Sequence, residues 1–323
     1  MQSAVPQQTS AAQRLKRVFE SQQLGIVFVL IGLIIILGIV SPVFLSPRNL
    51  RNVLQQVSTL GILAMGTTVL MISGGIDLSI GSCISVVAVV VGMMIKAHLP
   101  PELAILVGLL IGCGIGMVNG LLAAYTRAHP FILTLGTMTF FLGVAVYITK
   151  GFPITDLGKR YEWIGSAQIW QVPVIVILFF LVMLICYVLL RYTRTGRIAY
   201  AIGGNEYTTY LAGIPVRRYK ILFYLISGFF AGLAAIVLSS RISSAIPTMG
   251  ADYTLQAIGA VVIGGVPLTG GRGNVWGTLT GVLLLGVIAN GLNLLHFDAS
   301  IQYMLTGLII VVAVILHEQR SRR

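Results

Sequence analysis

The chain has 323 residues, of which 57% are hydrophobic and 9% charged, and its 21 Lys and Arg outnumber 9 Asp and Glu to give a formal net charge of +12. A mean hydropathy of +0.95 excludes a soluble globular domain and points to an all-α, polytopic membrane helix bundle. The positive balance does not imply nucleic acid, because the basic residues fall in short clusters between apolar runs rather than on one face of a domain.

Residues 1–23 are polar and carry Arg14, Lys16 and Arg17 just ahead of an apolar run at 24–40. No small-residue cleavage site follows, so the run is expected to be retained as a first span. A polar entry at 46–57, containing Arg48, Asn49, Arg51, Asn52, Gln55 and Gln56, leads to a short second run at 59–72. Gln55 and Gln56 are costly in lipid and are expected at the interface or facing protein. The second run ends in Gly74, Gly75, Ile76, Asp77, Leu78, Ser79, Ile80 and Gly81, and a third begins at once and continues to residue 95. So many glycines break a spanning helix, and a break is tolerated only where protein or a water-filled cavity satisfies the freed backbone. Asp77 then has two roles open to it, a cap on the following helix, which is preferred, or a proton or ligand site.

Further apolar runs at 103–124, 131–149, 172–190, 221–240, 255–267, 275–295 and 301–316 bring the expected spans to ten, the second and eighth short enough to be tilted, broken or re-entrant. The transmembrane unit is 24–317 and the C-terminal tail 318–323. With both termini cytoplasmic, Arg127, Arg272, Arg320, Arg322, Arg323 and the central cluster join Arg14, Lys16 and Arg17 inside, leaving Arg48, Arg51, Lys96, Lys150, Lys159, Arg160 and Arg241 outside. The connection at 150–171 is the longest external one; it suits either a solvated loop or a docking surface. Cys83, Cys113 and Cys186 all lie in apolar runs and form no disulfide framework or metal spacing.

The polar interruption at 191–220 carries Arg191, Arg194, Arg197, Arg217, Arg218 and Lys220. Asn205 is placed to cap a helix and Gly213 to close it with positive φ, so a short helix is expected over about 206–212. Alone it is too brief to be stable in water and has to pack against something. A solvated basic loop and a docking helix for a cytoplasmic partner are both compatible with the composition.

A second glycine cluster, Gly264, Gly265, Pro267, Leu268, Thr269, Gly270, Gly271 and Gly273, repeats the order of the first. Paired broken segments in two halves point to a substrate path. No G-x-x-x-x-G-K-[ST] loop is present, so the chain does not bind ATP by that route. Polar groups suited to a neutral, hydroxyl-rich solute are Asn119, Thr134, Thr137, Asn290 and Asn293, with Phe131 as a ring to stack on, although interhelical hydrogen bonding explains each equally well.

The stretch from Ile72 to Gly81, Asn119-Gly120, the run from Pro130 to Gly136, Arg194-Thr195-Gly196-Arg197 with Gly203-Gly204-Asn205-Glu206 and Gly213-Ile214, the second glycine cluster, and Asn290-Gly291-Leu292-Asn293 together resemble the ribose-type sugar permeases of ATP-binding-cassette importers. The resemblance covers about residue 44 to the C-terminus. It implies two permease subunits paired in the lipid of a bacterial inner membrane, a cytoplasmic ATPase that uses ATP and Mg, and a periplasmic sugar-binding protein. It also implies that residues 203–213, with Arg194, Gly196 and Arg197, are the coupling segment seated in the ATPase, that this chain is not itself an enzyme, and that it binds no cofactor. Thr254, Gln256 and Pro267 depart from the family pattern, which bears on the sugar carried. A proton-coupled carrier using Asp77 is the alternative.

Overall fold

The computed structural model describes residues 22–321. Arg14, Lys16, Arg17, Arg322 and Arg323 lie outside the described residues. Thirteen helices run in the order α1 Gln22–Val40, α2 Pro47–Ile72, α3 Ile80–Lys96, α4 Pro101–Tyr125, α5 Pro130–Thr149, α6 Lys159–Ser166, α7 Val174–Tyr192, α8 Arg194–Gly204, α9 Glu206–Leu211, α10 Val216–Ile242, α11 Ala251–Ile263, α12 Val275–Leu294 and α13 Ala299–Ser321. Helices α2, α4, α5, α7, α10 and α12 are long and apolar enough to cross a bilayer, while α1, α3, α11 and α13 contain shorter apolar helices. These ten coincide with the ten expected runs.

The second span is not short. Ser46 caps it by accepting a hydrogen bond from the Asn49 amide at 3.3 Å, and Pro47 occupies the first turn, where a missing N–H costs nothing. The polar entry is thereby helical, with Asn49, Val53 and Val57 buried at a spacing of four. At 26 residues the helix extends about 39 Å. From Val57 to Ile72 every residue is buried. By contrast the 13 residues of α11 reach only about 20 Å, less than the hydrocarbon thickness.

Helices α4 and α10 cross at their backbones. Gly112 of α4 faces Gly228 and Gly232 of α10, and a Cβ at any of the three would meet the facing backbone. In lipid, where burial of apolar surface offers no drive between helices, this close approach is what holds them together.

The 150–171 connection is folded rather than a plain loop. Strand β1, Ile154–Thr155, pairs antiparallel with β4, Ser244–Ala245, and β2, Gln168–Ile169, pairs with β3, Val172–Pro173. Helix α6 packs on α10 through Gly165, which lies against the Arg241 backbone, and the Tyr161 hydroxyl lies 2.6 Å from that of Ser239. Burial pushes the Tyr161 hydroxyl above its ordinary value. Glu162 accepts a short hydrogen bond from Ser243, and Arg160 pairs with Glu102 at 2.8 Å. Trp163 and Trp170 remain exposed.

Candidate functional site

The central polar interruption holds two helices, not one. Thr193 caps α8 by accepting from the Gly196 amide at 3.1 Å, and Gly196 presses against the carbonyls of Leu189 and Leu190. Gly203 and Gly204 are therefore the last residues of α8, just ahead of the short helix α9. Asn205 closes α8 with its amide on Ala201 and opens α9 with its side chain, which accepts from the Thr208 amide at 2.9 Å. Gly213 follows at φ 79, a conformation free of penalty only without a Cβ, so α9 begins and ends where the sequence places it. Glu206 is tied to Lys220 at 2.7 Å, and Arg194 and Arg197 are exposed on α8.

Both glycine breaks converge on this segment. The Gly271 amide donates to the Ile72 carbonyl at 2.8 Å, joining the second break to the first. Gly203 sits on that junction, where a Cβ would collide with the Ile72 carbonyl and the Gly271 amide. Gly74 lies beside Gly203 and the Thr269 carbonyl, and Gly270 beside Gly74. The Tyr200 hydroxyl of α8 donates to the Gly273 carbonyl at 2.9 Å. Gly264 and Gly277 are in backbone contact as the chain enters and leaves the second break, with Gly265 between α11 and the turn. A cavity of about 310 Å³ remains here, lined by Gly74, Gly75, Asn205, Glu206, Tyr224 and Thr269 among others.

Asp77 is buried inside the first break. Its Oδ1 accepts from the Ser79 amide at 2.8 Å and from the Ser79 hydroxyl at 2.7 Å, and the Asn119 amide nitrogen reaches both carboxylate oxygens at 3.2 and 3.3 Å. The same nitrogen donates to Ser79 Oγ at 2.6 Å. Asn119 Oδ1 is buried without a partner among the described residues. The carboxylate lies just before the N-terminus of α3, where the helix dipole favours negative charge. The carboxylate thus holds Ser79, the residue that opens α3, and among the described residues bonds no amide of the helix's own first turn.

The neighbouring Ile76 carbonyl receives the Tyr224 hydroxyl at 3.0 Å and faces the Thr134 hydroxyl at 3.4 Å. Deeper in, the Gly81 amide donates to Thr254 Oγ1 at 3.0 Å and the Gly250 amide to Ser85 Oγ at 3.3 Å. Helices α3 and α11 thus begin side by side within the bundle, and Thr254 is buried as part of that joint.

The polar residues singled out for a substrate path fall into separate groups. Asn119 and Thr134 belong to the first break. Thr137 is one turn farther on, its hydroxyl donating to the Thr134 carbonyl at 3.2 Å. Phe131 is exposed and lines an open groove with Gly74 and Thr269. Asn290 and Asn293 are near the opposite end of α12: Asn290 exchanges two 2.9 Å hydrogen bonds with Asn49, and Asn293 accepts from Gln302 at 3.0 Å. Sequence reasoning passed over Tyr200 and Tyr224 and singled out Thr254 only as a departure bearing on the sugar; the hydroxyls of all three lock the breaks, and nothing local marks that role, since their partners are more than 70 residues away.

The chain is similar to the ribose import permease protein of Bacillus subtilis (strain 168), with 44% identity over 302 residues, covering 93% of this chain and 94% of that protein. It is 34% identical over 300 residues to the D-allose transport system permease protein of Escherichia coli (strain K12), covering 92% of each. Identity is 33% over 320 residues to an autoinducer 2 import system permease protein of Photorhabdus laumondii, covering 93% of this chain and 95% of that protein. No solved structure matches. The family model described as branched-chain amino acid transport system, permease component, matches residues 49–314, a segment that contains both breaks and the helices docked on them, and the chain belongs to that permease family.

Proposed function

We propose that the chain is the membrane-spanning subunit of an ATP-driven importer for ribose or a closely related sugar. The observation that carries this reading is the seat of residues 203–213: a short, capped helix, α9, joined through Asn205 to the end of α8, where Gly203 touches both breaks at once. Displacing α9 displaces Gly203, and with it the Ile72–Gly271 junction between the two halves. Force from outside the bilayer therefore has a direct route to the broken helices. The higher identity to a ribose permease than to allose or autoinducer 2 permeases favours ribose.

The partners in this reading are a second permease copy, a cytoplasmic ATP-binding-cassette ATPase that uses ATP and Mg, and a periplasmic sugar-binding protein. The membrane is the bacterial inner membrane, with both termini and the α8–α9 segment on the cytoplasmic side, as the distribution of Lys and Arg favours. This subunit contributes no cofactor or hydrolytic group. Asn119, Phe131, Thr134, Thr137, Asn290 and Asn293 remain the polar and aromatic groups proposed along the path, with Phe131 best placed because its ring is accessible beside the first break.

Reconstitution with its ATPase and binding protein tests the reading. Glu206→Gln or Arg197→Gln is expected to lower sugar-stimulated ATP hydrolysis while the permease stays folded. Normal hydrolysis and uptake in both variants refute it.

A further inference from the structure

A second cleft, of about 690 Å³, opens at the foot of α4 and α10. Its walls include Tyr125 at the end of α4, Tyr207 and Tyr210 on α9, and Arg217 and Arg218 in the first turn of α10. Its one lining carboxylate, Glu206, is already paired with Lys220. Among the described residues neither arginine has an ion-pair partner. The cleft is thus a cationic, aromatic recess whose charge the fold leaves unbalanced.

Its surroundings say what would balance it. The Arg217 guanidinium lies 5.4 Å over the centre of the Tyr125 ring, and Tyr125 is exposed. One and two helical turns up the same face of α4, Leu121 and Met117 are exposed as well. On α10, Leu222 lies one turn beyond Arg218 and is also exposed. Positive charge at the point where two spanning helices leave their apolar runs, continued by an apolar strip along one of them, matches a molecule with an anionic head and a long hydrocarbon body. Guanidinium groups suit a phosphodiester because they are weakly hydrated and offer paired N–H donors. An acidic protein side chain or a free phosphate would satisfy the charge alone, whereas a phospholipid brings it from the bilayer in which the apolar strip of a spanning helix already lies.

We infer that this cleft binds the headgroup of an anionic phospholipid, with an acyl chain laid along Leu121 and Met117, and that the lipid braces α9 against the foot of α4. Basic recesses between spanning helices recognise anionic headgroups on this physical basis. The inference rests on the proposed orientation only in assigning the lipid to the cytoplasmic leaflet.

The test uses the permease alone, in nanodiscs of mixed phosphatidylglycerol and phosphatidylcholine, with retained lipid measured by native mass spectrometry. The unaltered protein should retain phosphatidylglycerol preferentially, and the preference should fall roughly fivefold for each arginine changed in Arg217→Gln and Arg218→Gln. Arg217→Lys with Arg218→Lys should keep most of it, and Arg191→Gln with Arg272→Gln, basic positions outside the cleft, should leave it unchanged. As a check that needs no charge loss, Tyr125→Trp should be quenched more by brominated phosphatidylglycerol than by brominated phosphatidylcholine. Equal retention of the two lipids overturns the inference, as does an undiminished preference in the Gln pair or equal quenching. Displacement by inorganic phosphate assigns the cleft to a soluble anion, and displacement by the ATPase assigns it to the protein partner; either result also overturns it. Because no transport is measured, failure here is distinct from failure of the Glu206 and Arg197 variants.

Discussion

A methyl group at Gly203 would have to enter the space held by the Ile72 carbonyl and the Gly271 amide. Gly203→Ala is accordingly expected to push the two breaks apart at an overpacking cost of about 1–3 kcal/mol. Where that cost falls on one end of the transport cycle, uptake should drop about tenfold, and vesicle transport assays on protein still present in the membrane check it. Asp77 leads to the opposite expectation. Because its carboxylate accepts from the Ser79 amide and hydroxyl, Asp77→Asn keeps an acceptor and should leave most transport, whereas a carrier that moves protons through this carboxylate would lose it. Asp77→Ala removes the acceptor shared by Ser79 and Asn119 and should destabilise the fold by about 1 kcal/mol, read as a lower melting temperature. A local use for Asp77 was legible in the sequence, since a carboxylate two residues before a serine can accept from that serine. The Asn119 interaction with that carboxylate was not: its partners are 40 and 42 residues away, and only the crossing of α4 over the break brings them together.

Among the elements, α8 and α9 share one residue as their hinge. Asn205→Ala deletes the side-chain acceptor for the Thr208 amide, costing about 1 kcal/mol in a helix of 6 residues; sugar-stimulated ATP hydrolysis should fall, and Asn205→Asp should restore it. The sequence located α9 well because Asn and Gly bracket it. It hid α8 because Thr193 is followed by Arg194 and Arg197, which favour a solvated loop by composition, and the helix is stabilised by burying Ile198, Ala199 and Ile202. A similar limit applies to Thr254. Taken as a departure bearing on the substrate, it is instead buried between α11 and the start of α3, so its residue type answers to the joint between two helices. At the α4–α10 crossing, Gly112→Leu would drive a side chain into the Gly228 and Gly232 backbone. The expected result is a large loss of folded protein, detected as an absent monodisperse peak after extraction.

Taken as a whole, the molecule has one end of stitched breaks and another covered by the folded 150–171 segment. Hydropathy alone gave the ten apolar runs, because the bilayer sets both their length and their composition. It could not show that 150–171 would pack, since Tyr161, Gly165 and Glu162 find their partners on α10 and just beyond it. Burial raises the Tyr161 hydroxyl above its ordinary value, so its contribution to stability is complete below the unfolded tyrosine range and is lost as pH rises above about 10. Tyr161→Phe should lower the melting temperature at neutral pH by an amount equivalent to about 1 kcal/mol and flatten the alkaline decline.

Helix α2 has one further consequence, for biogenesis. Its lower two-thirds touch protein on every side, yet the Thr68 hydroxyl meets Thr278 of α12, 210 residues later, and Asn49 waits for Asn290. During synthesis this early helix must reside among lipids or transient chaperones until the ribosome has released nearly the entire chain. Nascent chains halted before α12 should therefore be captured by membrane quality-control proteases far more readily than chains halted just after it.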